Sequence, residues 1–277
     1  MANSSRSNHL VSFLRLSANK VLGATPFVAD AEQHAFLASY PRSGNTWLRC
    51  VLFHYTTGRA PRNLAEIDLQ IPDEHTQIAE KRLMTEEGPD PHAPRIVKTH
   101  ALFRVDRGYR RAVHIVRDPR HVIPSFYRYS ARKRAGINFE DFAENCVLGS
   151  RWPGSWHSHT NSWMMGAQDR LEDFNTLRYE DLVTHNQETI SALASSLGLR
   201  DVERLSALLA QYDLEKMRGL EVAGNRSIEP AYSENGRNFI GTGKAPKEQF
   251  SFVHDLIKSK APHWKPVLDR LGYLVWN

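Results

Sequence analysis

Phe36-Leu37-Ala38-Ser39-Tyr40-Pro41-Arg42-Ser43-Gly44-Asn45-Thr46-Trp47-Leu48-Arg49 is the stretch from which the rest of the chain can be read. Phe36 to Ser39 is a short apolar run, the pattern of a buried strand. Tyr40-Pro41 ends it, because the residue before a proline is pushed out of helical φ/ψ. Ser43-Gly44-Asn45 are turn residues, and Ser43, Asn45 or Thr46 can cap the helix that follows. A helix entered directly from a strand presents free N–H groups and its positive dipole end, so it is a ready anion site. Arg42 adds a permanent charge with a fork suited to phosphate or sulfate. The loop therefore reads as the holder of a phosphorylated compound.

Working outward, helical spacing of Trp47, Leu48, Val51, Leu52 and Tyr55 predicts a helix from Thr46 to Thr57, stopped by Gly58. Arg95 to His100 predicts a second strand with Lys98 and His100 at its end. Ala112 to Arg117 predicts a third, which runs into the N-cap and first-turn pair Asp118-Pro119. Pro124, at the sixth position of that helix, predicts a distorted first turn. Leu177-Arg178-Tyr179 closes a fourth strand, and Ile190 to Leu199 reads as an amphipathic helix ending near Gly198. Residues 59–94 read as short helices and loops, 220–249 as a long glycine-rich loop or lid, and 250–274 as helical again. Strands alternating with helices imply a parallel sheet covered on both faces, with ligands beyond the carboxyl ends of its strands. Arg42, Lys98, His100, Arg117 and Tyr179 then surround one crevice.

The 277 residues suffice for a sizeable core, and 41% apolar with 24% charged residues is ordinary for a globular protein. No window approaches the ~20 apolar residues of a membrane helix, so no integral membrane segment is expected. Cys50 and Cys146 sit in apolar helical contexts and read as buried free thiols in a reducing, cytoplasmic setting. Residues 1–30 read as an N-terminal amphipathic helix or tail, and residues 31–277 as one domain. The net charge of +5 is unevenly spread: Ala101 to Arg134 holds ten Lys or Arg against Asp106 and Asp118. Such a segment suits an anionic ligand or a polyanion.

The opening loop lacks the two glycines and the Lys-Ser/Thr of a nucleotide P-loop. Tyr40-Pro41-Arg42-Ser43-Gly44-Asn45-Thr46-Trp47 instead resembles the 5′-phosphosulfate-binding loop of the sulfotransferases that use 3′-phosphoadenosine 5′-phosphosulfate (PAPS). Four further segments are similar to that family in the same order. Ile96 to His100 resembles its Lys-Thr-His segment, and Val116 to Arg120 with Ser125 resembles its 3′-phosphate site. Trp156-His157-Ser158-His159 with Trp163 resembles the stretch near its acceptor, and Leu177 to Leu182 its Tyr-Glu-Asp segment. The resemblance spans roughly residues 35 to 252.

What the resemblance implies is a single α/β domain with a central parallel sheet flanked by helices and a P-loop-like phosphosulfate-binding loop. PAPS would be the co-substrate and PAP the product, with no metal required. The sulfuryl group would pass to a hydroxyl, or secondarily an amine, of a small-molecule or carbohydrate-like acceptor. His100 would be the general base, with Lys98 and Arg42 stabilising the leaving phosphate. Arg42, Ser43, Gly44, Asn45, Thr46 and Trp47 would hold the 5′ end; Arg117, Ser125 and Arg237 the 3′-phosphate; Trp47 and Tyr179 the adenine. Trp156, His159 and Trp163 would contact the acceptor.

The family usually has lysine at the position of Arg42, threonine at Asn45 and phenylalanine at Leu214. Its late Arg-Lys-Gly is only echoed by Arg237-Asn238-Phe239, and its dimer motif is degraded around Lys247 and Ser251, leaving the oligomeric state open. Two rivals stand beside this reading. One is an ATP-dependent, P-loop-like kinase. The other is a non-catalytic polyanion binder using residues 101–134, although nucleic acid is not the expected partner.

Overall fold

The chain is described by a computed structural model over residues 34–74, 76, 94–224, 240–241, 243–273 and 275. The expected N-terminal helix or tail and Arg237 lie outside these residues.

Four parallel strands form the sheet: β1 (His34–Ser39), β2 (Arg95–Thr99), β3 (Arg111–Val116) and β4 (Asp173–Arg178), in the order β2-β1-β3-β4. All six residues of β1 are buried, as a central strand covered on both faces requires. Phe36 pairs with Val97 on one side and Ala112 on the other. From β1 the chain moves outward to β2, and from β3 it moves outward the other way to β4. The loops after β1 and β3 therefore diverge, and a crevice opens between them at the carboxyl end of the sheet.

The helices are α1 (Asn45–Thr57), α2 (Leu64–Gln70), α3 (Pro119–Lys133), α4 (Phe139–Leu148), α5 (Trp156–Gly166), α6 (Tyr179–Val183), α7 (Gln187–Leu197), α8 (Val202–Gln211), α9 (Leu214–Gly224), α10 (Lys247–Lys260) and α11 (Lys265–Arg270). One core lies between the sheet and α1, α7 and α8, built on Leu37, Leu48, Val51, Leu52, Leu193 and Leu205. The other lies under α3, α4, α5 and α10, built on Tyr40, Ile123, Phe142, Trp156, Val253 and Trp264. Cys50 and Cys146 are buried and unbridged, one in each core. Among the described residues no helix is long and apolar enough to cross a membrane.

Two local expectations change. Tyr179 does not close β4 but begins α6. The expected loop at 220–249 is helical at both ends, in α9 and α10. Around Pro124, α3 runs on to Lys133, and its first turn is tightened, with the Asp118 carbonyl accepting from both His121 and Val122 at 3.0 Å.

Candidate active site

Tyr40-Pro41-Arg42-Ser43 is a tight turn, closed by the Ser43 N–H on the Tyr40 carbonyl at 3.3 Å. Pro41 takes the second position and Arg42 the third with φ 72°, which is the pattern of a type II turn. That third position favours glycine, and a left-handed residue with a Cβ costs roughly 1–2 kcal/mol. Strain of this kind is characteristic of functional loops.

None of the expected side chains caps α1. Gly44 is the N-cap, at φ 97°, with no side-chain hydrogen bond. The first bond that closes the helix runs from the Leu48 N–H to the Gly44 carbonyl at 3.1 Å, and the N–H groups of Gly44 to Trp47 meet no backbone carbonyl among the described residues. Ser43 Oγ is buried and has no partner among them. A helix start with open N–H groups and an unsatisfied hydroxyl beside it suits an anion better than any group of the protein itself.

Ser39 joins this loop to His100. Its carbonyl lies 2.7 Å from His100 Nδ1, and its Oγ accepts from Asn45 Nδ2 at 3.1 Å. Because a carbonyl only accepts, Nδ1 carries the proton and Nε2 keeps its lone pair. Burial first, and then the Lys98 charge, lower the His100 pKa from 6.5 to about 4, so the imidazole is neutral near pH 7. Lys98 is held by Asp73, Nζ to carboxylate, at 2.9 Å.

On the other wall, Arg117 donates to the carbonyls of Arg42 and Gly243 and lies 4.6 Å over the Tyr179 ring. Asp118 pairs with Arg120 at 2.7 Å, while Glu180 accepts from the Asp118 N–H and from the Tyr273 hydroxyl. Arg42 Nε donates to Ser125 Oγ at 3.2 Å, so its guanidinium is turned toward α3. Burial lowers its pKa to about 10. Trp47 packs edge-on against Tyr179 with centroids 5.6 Å apart and donates to the Tyr212 carbonyl at 2.7 Å.

The three residues expected against the acceptor are sealed from solvent, each with 0% exposure. Trp156 Nε1 donates to the Arg117 carbonyl at 3.0 Å, and Trp163 Nε1 to the Ala101 carbonyl at 2.9 Å. His159 lies between Tyr40 and His114. Their alternation of large apolar groups with indole donors fits the core, and they support the crevice from beneath. What stands beside His100 instead is Trp152, 60% exposed, with its ring centroid 6.4 Å away. Sequence reasoning missed Trp152, Ser39 and Asp73. The only signal for Trp152 was a bulky aromatic in a Pro-Gly turn.

The basic segment does not form one polyanion face. Arg104, Arg110, Arg111 and Arg120 pair with Asp106, Glu172, Asp173 and Asp118, and Arg117 turns into the crevice.

The chain matches the family model described as the sulfotransferase domain over residues 32–269. Mouse sulfotransferase 2A2 is 25% identical over 225 residues, covering 76% of each chain. Flavonol 3-sulfotransferase of Flaveria bidentis is 24% identical over 245 residues, 80% of this chain and 78% of that one. The crystal structure of retinol dehydratase with retinol and PAP superposes with TM-score 0.57 at 20% identity, over 85% of this chain and 87% of that one. A mouse sulfotransferase complexed with PAP gives TM-score 0.56 at 19% identity, over 87% and 83%. At these identities the superpositions speak for the fold.

Proposed function

The chain belongs to the sulfotransferase-domain family, and from that premise we propose that it moves the sulfuryl group of PAPS to a hydroxyl, or secondarily an amine, of a small organic or carbohydrate-like acceptor. One observation carries the reading: Ser39 ties an open anion cradle and a neutral imidazole to the end of the same strand. PAPS supplies an activated sulfuryl group whose departure leaves charge on a phosphate oxygen. Donors preorganised at that oxygen lower the barrier most effectively.

In this reading the N–H groups of residues 44–47 and Ser43 Oγ hold the 5′-phosphosulfate at the helix N-terminus. Lys98, steered by Asp73, adds positive charge on the side of His100. His100 Nε2 takes the acceptor proton, with Nδ1–H fixed on the Ser39 carbonyl; such a base is worth typically ~10²–10⁴-fold. Arg117 and Ser125 hold the 3′-phosphate; Arg42, expected at the 5′ end and the leaving phosphate, joins them through its bond to Ser125, and Tyr179 with Trp47 forms an aromatic wall for the adenine. Trp152 offers the acceptor an apolar face beside the base. The domain itself is taken as residues 31–277, with residues 1–30 as an appended segment.

The test is transfer of labelled sulfur from PAPS to a panel of phenols, steroid alcohols and sugars, by wild type and His100→Ala. Transfer by wild type that is lost in the variant, with PAP binding retained, is expected. Equal transfer by both proteins removes His100 as base, and no transfer to any hydroxyl or amine, without PAP binding, removes the reading.

A further inference from the structure

Four guanidinium groups meet at one end of the crevice. Arg42 and Arg117 arrive from the loops after β1 and β3, joined by the Arg117 Nη1 bond to the Arg42 carbonyl at 3.4 Å. Arg128 and Arg132 arrive from α3. Ser125, Arg128, Tyr129 and Arg132 are spaced i, i+3, i+4 and i+7, so they share one face of that helix. Ser125 on this face accepts from Arg42, and the Arg42 guanidinium lies 5.4 Å from the centroid of the Tyr129 ring. The Arg128 guanidinium lies close to Gly241: a Cβ built there would be 3.0 Å from Arg128 Nη2.

These charges oppose one another. After burial, the causes that lower Arg42 include the charges of Arg132, Arg128 and Arg117, and Arg128 is lowered by burial and by Arg117. Guanidinium groups gathered at one end of a crevice suit an anionic ligand. The helix N-terminus at Gly44 already provides for one anionic group, on the other side of Arg42. Arg128 and Arg132 are half-buried, and their place on the Ser125 face of α3 lets them serve a second anionic group.

We propose that Arg128 and Arg132 form the outer wall of the 3′-phosphate site, so that α3 adds two charges that help to distinguish a 3′-phosphorylated nucleotide from one without that group. The assignment rests on the PAPS reading above. Two monovalent contacts from α3, added to Arg117 and Arg42, enclose the phosphate on three sides. Gly241 leaves room for Arg128, whose guanidinium a Cβ at that position would crowd.

The experiment compares the affinities of PAP and 5′-AMP by calorimetry for wild type, Arg128→Gln, Arg132→Gln, the double variant and Arg128→Lys. Each single Gln variant is expected to weaken PAP about tenfold and the double about a hundredfold, while 5′-AMP moves by less than about threefold. Arg128→Lys should recover part of the loss, because it keeps the charge and gives up the fork. PAP affinity that is unchanged in the double variant overturns the assignment and leaves the PAPS reading standing. Equal weakening of PAP and 5′-AMP also overturns it, since that pattern means a structural role. If wild type binds no PAP, both the assignment and the reading beneath it fail. Thermal melts of all five proteins separate lost folding from lost contacts.

Discussion

Replacing Gly44 by alanine tests how the cradle is built. At φ +97° a new Cβ would lie 2.4 Å from Tyr179 Cδ2 and 2.6 Å from Cε2. Carbon atoms settle at ~3.5–4.0 Å, so the ring must retreat by about 1 Å. It has little freedom to do so, with Trp47 at 5.6 Å between centroids and Arg117 at 4.6 Å over its face. A left-handed alanine costs about 1–2 kcal/mol and overpacking about 1–3, so the loss of stability should be about 2–5 kcal/mol. For a domain of this size that lowers Tm by roughly 4–20 °C. Displacing Tyr179 also displaces Arg117, so the PAP Kd should rise tenfold or more, each tenfold step corresponding to about 1.4 kcal/mol. Differential scanning fluorimetry and calorimetric titration read the two effects separately. A Gly44→Ala protein with wild-type Tm and wild-type PAP affinity would refute the close packing of the loop on Tyr179.

Arg42→Gly removes both the left-handed strain and the charge. Its Tm should be no lower than that of wild type while PAP binding weakens about tenfold; a large drop in Tm contradicts the strained-turn account. The pH dependence follows from His100, whose folded pKa of about 4 lies below the ordinary 6.5. Its neutral form is the base, so the acid limb of kcat/KM should fall near pH 4, and a limb near 6.5 contradicts a buried base. His100, with His114 at about 3, also binds protons less readily in the folded than in the unfolded chain. Their contribution to stability is therefore complete above pH 6.5 and is lost as pH falls from there toward 4; a Tm that rises over that interval contradicts it. Trp152→Ala should raise the acceptor KM several-fold and leave PAP binding alone, as steady-state kinetics with the identified acceptor would show; a matched loss of PAP affinity would place Trp152 elsewhere.

The scaffold was legible because its signals are local. The apolar run before Tyr40-Pro41, the Ser-Gly-Asn turn and the Asp118-Pro119 cap each report on neighbours within a few residues. The parallel order followed from alternation of strand and helix patterns, and it brings Arg42, His100, Arg117 and Tyr179 to one end of the sheet. What stayed hidden depends on contacts across long sequence distances. Asp73 meets Lys98 only because the chain before β2 pairs beside it. Ser39 gains its role from His100, 61 residues away. Trp156, His159 and Trp163 show the converse: aromatic and imidazole groups near a site are equally good core residues, and burial decides between the two. The capping residues at 43–46 misled for a similar reason. They have the right chemistry for a cap, but the turn at Arg42 and Gly44 leaves the helix N-terminus open.

Calorimetric titration of the wild-type chain with PAP, 5′-AMP and Mg-ATP asks whether this crevice takes a nucleotide phosphorylated at both its 5′ and 3′ ends. One PAP site per chain is expected, with 5′-AMP bound at least about tenfold more weakly and no gain in PAP affinity from magnesium. Tighter binding of ATP than of PAP, dependent on magnesium, would contradict it.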